Sequence, residues 1–197
     1  MTAQLPRPRF AHVVLQTNRL AEMRDWYCTV LGAHVVYENP GMCFVTFDEE
    51  HHRLALVASP ADPFVERTPL TVGLQHTAFT FDGLPALLGT FERLRAAGIE
   101  PVVPIAHGVT TSLYYRDPDG NSVELQIDNF ADPDDATAYM TGPEYAADPV
   151  GPSFDPAAMA DALRSGTDPA ELTTREWAHR AGPPVANPMM ALLGAGG

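Results

Sequence analysis

Two histidines and one glutamate in this sequence have the types and placement of a metal-binding set. His12 and His76 lie 64 positions apart, and each is the third residue of a stretch, FAHVV and LQHTA, that predicts a β-strand. Glu124 lies in NSVELQI, where strand alternation separates it from Val123 and Leu125. A carboxylate in an apolar strand is costly to bury unless it is paired or metal-bound. Two imidazoles and one carboxylate with open coordination positions suit non-haem Fe(II).

A second histidine feature is the adjacent pair in DEEHHRLALV, at the start of an apolar segment. Successive side chains of a strand point to opposite faces, so only one member of the pair can face a site. Arg53 is expected to face water, which places His52 on the inward face with Leu54 and Leu56. The sequence therefore predicts an inward His52 and a solvent-facing His51.

The elements that must position these residues form an internal repeat. The stretch 10–36 resembles the stretch 74–103, and Leu20 and Leu84 keep the offset of the two histidines. Each copy predicts a strand, an amphipathic helix ending near a glycine, and three further strands. The sequence thus predicts an α+β domain at 8–130. Its two βαβββ modules lie at about 8–60 and 72–130.

The composition changes after Phe130, and residues 131–197 form a tail rich in Pro and Asp. Two short helices are predicted in it. One starts at Asp155-Pro156, and the other runs from Asp168-Pro169 to Gly182, because Asp is a good N-cap and Pro is tolerated at the first helical position. The tail is therefore expected to be partly helical.

Net charge and hydropathy limit the classes of binding partner that the protein is expected to have. The net charge is −13 and all twelve basic residues are arginine, with no basic stripe, so nucleic acid is not an expected partner. No window approaches the ~18 apolar residues of a membrane span, and the first residues lack an apolar signal core. The expectation is a cytoplasmic protein away from membranes. The oligomeric state stays open, with a homodimer among the alternatives.

Residues 8–130 resemble the vicinal oxygen chelate superfamily, whose members pair two βαβββ modules into a metal-lined cup. The stretch YYRDPDGNSVEL is similar to a common ending of that fold, and HHRLAL is similar to a stretch of the type I extradiol catechol dioxygenases. The resemblance implies the glyoxalase/bleomycin resistance/extradiol dioxygenase fold. It also implies that His12, His76 and Glu124 hold Fe(II), with Mn(II) as the alternative, and that the chain cleaves a catechol-type ring with O2.

The same resemblance assigns roles to three further residues. His52 matches a histidine that faces the iron and shuttles protons. Tyr114, ten residues before Glu124, matches a tyrosine that hydrogen-bonds the substrate oxygen. His107 resembles a second substrate-contacting histidine, in a loop that is shorter than in the larger enzymes. A small aromatic diol and O2 are the implied partners.

Two alternatives remain at this point. The first is a metal-dependent lyase, isomerase or transferase of the glyoxalase type, which commonly uses a fourth ligand from the last strand of the first module. That strand here, RLALVAS, has no acidic residue. The second is a non-enzymatic small-molecule binding protein of the same fold, a class that generally lacks the metal set. The sequence favours the dioxygenase and does not identify its catechol.

Overall fold

The computed structural model describes residues 7–59, 72–182 and 187–193. The chain divides into two compact units, Met1–Glu66 and Arg67–Gly197. Each unit contains a four-stranded mixed sheet whose first two strands are joined by a helix, so the α+β class and the two βαβββ modules are confirmed. The grouping of both modules into one domain at 8–130, with 131–197 as its tail, stays a prediction.

The first unit carries the first module. Its elements are β1 (Val13–Thr17), α1 (Leu20–Leu31), β2 (His34–Asn39), β3 (Met42–Thr46) and β4 (Leu54–Ala58). The strand order is β1-β4-β3-β2, with β1 parallel to β4 and the other pairs antiparallel. Helix α1 ends at Gly32 with a φ of 64°, a left-handed conformation that glycine adopts without a steric penalty.

One face of the first sheet is buried together with α1. The apolar side chains at most 1% exposed in this unit are Met23, Tyr27, Val30, Cys43, Val45, Leu54 and Leu56. The register pairs Cys43 with Leu56 and Val45 with Leu54, so these four side chains share a face. Helix α1 packs on β3 and β4, which makes this the helix-covered face.

The predicted face of His52 is wrong. Leu54 and Leu56 lie on the helix-covered face, whereas His52 stacks on Phe44, which alternates to the opposite face of the sheet. The reason is that β4 begins only at Leu54, and the chain bends at 51 and 53, so strand alternation does not reach His52. His51 faces solvent as predicted.

The second unit repeats the arrangement and adds the C-terminal helices. Its module consists of β5 (His76–Thr80), α2 (Leu84–Ala96), β6 (Val103–Ala106), β7 (Thr110–Arg116) and β8 (Ser122–Asp128). The order is β5-β8-β7-β6, so the edge strand β6 belongs to the same sheet as the two central strands β8 and β7. Strand β5 is parallel to β8, and the β7–β8 and β6–β7 pairs are antiparallel.

The C-terminal segment contains more helices than the two predicted. They are α3 (Pro133–Met140), α4 (Pro143–Ala147), α5 (Pro156–Arg164), α6 (Pro169–Leu172), α7 (Arg175–Ala181) and α8 (Pro188–Leu192). Helix α5 starts as predicted, with Asp155 accepting hydrogen bonds from two backbone N–H groups. The single helix predicted from Pro169 to Gly182 is wrong, because Thr174 caps a new helix by accepting from the Trp177 N–H. No helix in the described ranges is long and apolar enough to cross a membrane.

Candidate active site

Strands β5, β7 and β8 of the second unit bring predicted site residues onto one face of the sheet. Glu124 on β8 is directly opposite Tyr114 on β7. On the other side, Glu124 pairs with Ala78, and His76 lies two residues earlier on the same strand. Because side chains at i and i+2 share a face, His76 projects beside Glu124. The structure therefore groups His76, Tyr114 and Glu124 on one face of this sheet.

His76 and Glu124 form a close pair. Glu124 Oε2 lies 3.0 Å from His76 Nε2, and the glutamate side chain is only 5% exposed. Burial raises the pKa of Glu124, but hydrogen bonds with His76, Ser112 and Tyr114 outweigh burial and leave the pKa below its ordinary value. The carboxylate is therefore held in its charged form, which is the form that binds a metal.

The chemistry of this pair fits a divalent metal. An imidazole nitrogen and a carboxylate oxygen are donor types that suit a non-haem divalent metal such as Fe(II). His76 Nε2 and Glu124 Oε2 lie 3.0 Å apart, the distance of the hydrogen bond that they form with each other. Among the residues that the structure describes, no three His, Cys, Asp or Glu side chains lie close enough together to hold a metal ion.

Tyr114 and His107 extend the polar face beyond Glu124. The Tyr114 hydroxyl lies 2.9 Å from His107 Nε2. Burial and the charge of Glu124 raise the pKa of Tyr114, which keeps the phenol protonated and able to donate a hydrogen bond. Burial lowers the pKa of His107, against the opposing effect of Glu124. This arrangement offers a phenol and an imidazole that can contact a ligand oxygen.

Ser112 is a contact of Glu124 to which sequence analysis gave no role. It is fully buried on β7, two residues before Tyr114, and it hydrogen-bonds with Glu124. Its hydroxyl also lies 3.1 Å from Thr110 Oγ1. The alternation that places Tyr114 beside Glu124 also places Ser112 on that face, so the sequence contained the information.

In the first unit, His12 and His52 lie side by side. Their ring centroids are 4.4 Å apart, and the His52 ring stacks on Phe44 at 4.7 Å. His51 Nδ1 lies 2.6 Å from His52 Nδ1, although the His51 side chain is 71% exposed. Burial, followed by the positive charges of His12 and His51, lowers the pKa of His52. The structure thus brings together two of the predicted residues here.

Comparison with known proteins gives three findings. A profile of the Glyoxalase/Bleomycin resistance protein/Dioxygenase superfamily matches residues 9–125. Two proteins of Rhodococcus globerulus are similar along most of this chain. Biphenyl-2,3-diol 1,2-dioxygenase 2 is 62% identical, over 94% of this chain and 97% of its own length. Biphenyl-2,3-diol 1,2-dioxygenase 3 is 64% identical, over 87% and 90% respectively.

Among solved structures, a lactoylglutathione lyase from Agrobacterium tumefaciens matches with a TM-score of 0.50. It is 24% identical, and the match covers 62% of this chain and 96% of that one. At this level of identity the likeness concerns the fold alone.

Proposed function

We propose that this chain acts on a catechol that carries an aryl substituent. The chain belongs to the Glyoxalase/Bleomycin resistance protein/Dioxygenase superfamily and is an extradiol ring-cleaving dioxygenase within it. The observation that carries the proposal is the identity of 62% and 64% to two biphenyl-2,3-diol 1,2-dioxygenases over most of the chain. The substrates are then an aromatic diol and O2, and both oxygen atoms enter a ring-opened product.

The proposed cofactor is Fe(II), with Mn(II) as the alternative, and the proposed ligands are His12, His76 and Glu124. The placement of the histidines in the two repeats and the His76–Glu124 pair support this set. When bound, the metal supplies open coordination positions that gather the diol and O2 and lower the pKa of a substrate hydroxyl. The cytoplasm is the proposed location and a homodimer the proposed assembly.

Three residues of the chain are proposed to act on the substrate. His52 accepts a proton from one hydroxyl of the diol and returns it later in the reaction. The Tyr114 hydroxyl donates a hydrogen bond to a substrate oxygen, and His107 orients the same region. The 2.9 Å contact between Tyr114 and His107 supports their acting together.

Anaerobic loading with Fe(II), followed by air-saturated buffer and 2,3-dihydroxybiphenyl or catechol, tests the proposal. The expected result is a yellow ring-cleavage product with stoichiometric O2 uptake, abolished by a chelator. A Glu124→Ala variant should lose both iron and activity, whereas Glu176→Ala, in the exposed part of α7, should keep both. Turnover with Zn(II) or Ni(II) under argon, without O2 uptake, would instead indicate the lyase or transferase alternative.

A further inference from the structure

The C-terminal segment hydrogen-bonds the turn that carries His107. Arg175, in α7, donates hydrogen bonds from Nε, at 3.1 Å, and from Nη2 to the His107 carbonyl. The arginine is 8% exposed, and its guanidinium lies 5.8 Å from the Tyr139 ring centre and 5.6 Å from the Tyr145 ring centre. Two donors on one carbonyl fix the direction of that peptide group.

A second part of the same segment holds His107 from another side. The Ala106 N–H donates to the Pro152 carbonyl at 2.9 Å, and Ile105 forms a bridge with Ser153. The His107 ring hydrogen-bonds the backbone of Val150. Gly151, at a φ of 86°, permits this approach, because a Cβ there would collide with the Ala106 carbonyl. The tail therefore contacts both the backbone and the ring of His107.

The free-energy cost of burying the Arg175 guanidinium indicates a role beyond packing. Among the described residues, the partners of the Arg175 guanidinium are a neutral carbonyl and two aromatic rings, and burying a charge without a carboxylate partner is unfavourable. The turn itself is short: the His107 N–H donates to the Thr110 carbonyl at 2.9 Å, and Gly108 has a φ of 88°. The His107 ring itself contacts the Tyr114 hydroxyl and the backbone of Val150, both outside the turn.

We infer that Arg175 is a positioning residue: together with the backbone of Val150, it fixes His107 so that the imidazole meets the Tyr114 hydroxyl in the substrate site. The C-terminal segment then contributes to the geometry of the active site by positioning His107. This inference rests on the proposed role of His107. Arg175 itself does not touch the substrate, so its substitution acts through His107.

Two variants separate positioning from packing. Arg175→Lys keeps the charge but cannot make the two-point contact, and Arg175→Met keeps the apolar stem. Both should lower kcat for ring cleavage by about 10-fold or more, with KM little changed, because misplaced groups affect the transition state most. The matched control is Arg180→Met in the same helix, whose guanidinium is exposed and pairs with Glu171 at 2.9 Å. It should keep the wild-type kcat.

A double-mutant cycle identifies the route of the effect. In a His107→Phe background, Arg175→Lys should cost little further activity, because two residues that act through one contact are not additive. Equal losses in both backgrounds would show that Arg175 acts through general stability and would overturn the inference. Unchanged kcat in both Arg175 variants would overturn it as well.

A spectroscopic readout keeps the inference separate from the proposed function. In a 15N-histidine NMR spectrum, the His107 ring resonances, assigned by their loss in His107→Phe, should shift in Arg175→Lys and stay in place in Arg180→Met. If the wild-type enzyme cleaves no catechol but these shifts occur, the proposed function fails while the positioning stands. If it cleaves catechol and the shifts do not occur, the positioning is wrong.

Discussion

At the scale of single residues, the adjacent histidines His51 and His52 offer a direct test. His52 lies against the His12 ring and on Phe44, whereas the His51 side chain is 71% exposed. We expect His52→Ala to lower kcat by about 100-fold or more, because it removes the proposed proton acceptor. His51→Ala should leave kcat near the wild-type value. Steady-state kinetics on iron-loaded protein measures both, and equal effects in the two variants would contradict the role of His52.

Ser112 gives a second prediction at the residue scale. It hydrogen-bonds Glu124 from a fully buried position, so Ser112→Ala should free the carboxylate to rotate. We expect metal affinity to fall by about 10-fold, the usual effect of removing a hydrogen bond that orients a ligand. Titration with Mn(II) under argon measures this, with metal loading and the folded state checked separately.

Ser122 is the matched control for that experiment. It is also buried on β8, two residues before Glu124, and its hydroxyl has no hydrogen-bond partner among the described residues. Removing an unsatisfied buried hydroxyl costs little, so Ser122→Ala should keep the wild-type metal affinity. A comparable loss of affinity in both serine variants would show that the effect comes from general disturbance of the sheet.

At the scale of elements, two glycines in the helical regions predict opposite changes in stability. Gly32 ends α1 with a φ of 64°, where an alanine is strained, so Gly32→Ala should lower the free energy of unfolding by about 1 kcal/mol. Gly89 lies on the exposed side of α2, with open space around its Cα. Gly89→Ala should raise stability by about 0.5–1 kcal/mol through helix propensity. Urea unfolding checks both signs.

Elements with a strong hydrophobic period were predictable from the sequence, and those without one were not. Alternation and the repeat predicted all the strands of both modules and the helices that cover them. Helix α3 has the same Asp-Pro start as α5, with Asp132 capping it, yet it buries no side chain. It therefore has no apolar stripe to detect. His52 shows the other limit, since a bend before β4 ends the alternation on which its predicted face depended.

At the scale of the whole molecule, the sequence indicated residues of the candidate site but not the contacts that support them. The repeat and the strand alternation indicated His76 and Glu124, and the family resemblance indicated Tyr114; the strand register places all three on one face. The contacts of Arg175 and Val150 with His107 join segments far apart in sequence. Neither periodicity nor local motifs report such tertiary contacts, so this part of the site required coordinates.

The last described helix, α8, also contacts a residue of the proposed site. Leu192, in α8, is 5% exposed and packs in a cluster with Val103, Ile105 and Tyr114. Arg116 also donates a hydrogen bond to the Leu192 carbonyl. The last described helix therefore packs against the tyrosine that is proposed to meet the substrate.

Leu192→Ala should lower the free energy of unfolding by about 2–3 kcal/mol, because it leaves a cavity in a buried cluster. The neighbouring leucine is only half-buried, so Leu193→Ala should cost clearly less. Chemical unfolding measures both costs. Since the cavity adjoins Tyr114, kcat of Leu192→Ala should also fall under conditions in which the protein is fully folded. A folded Leu192→Ala enzyme with wild-type kcat would mean that α8 contributes stability to the second unit and nothing to the placement of Tyr114.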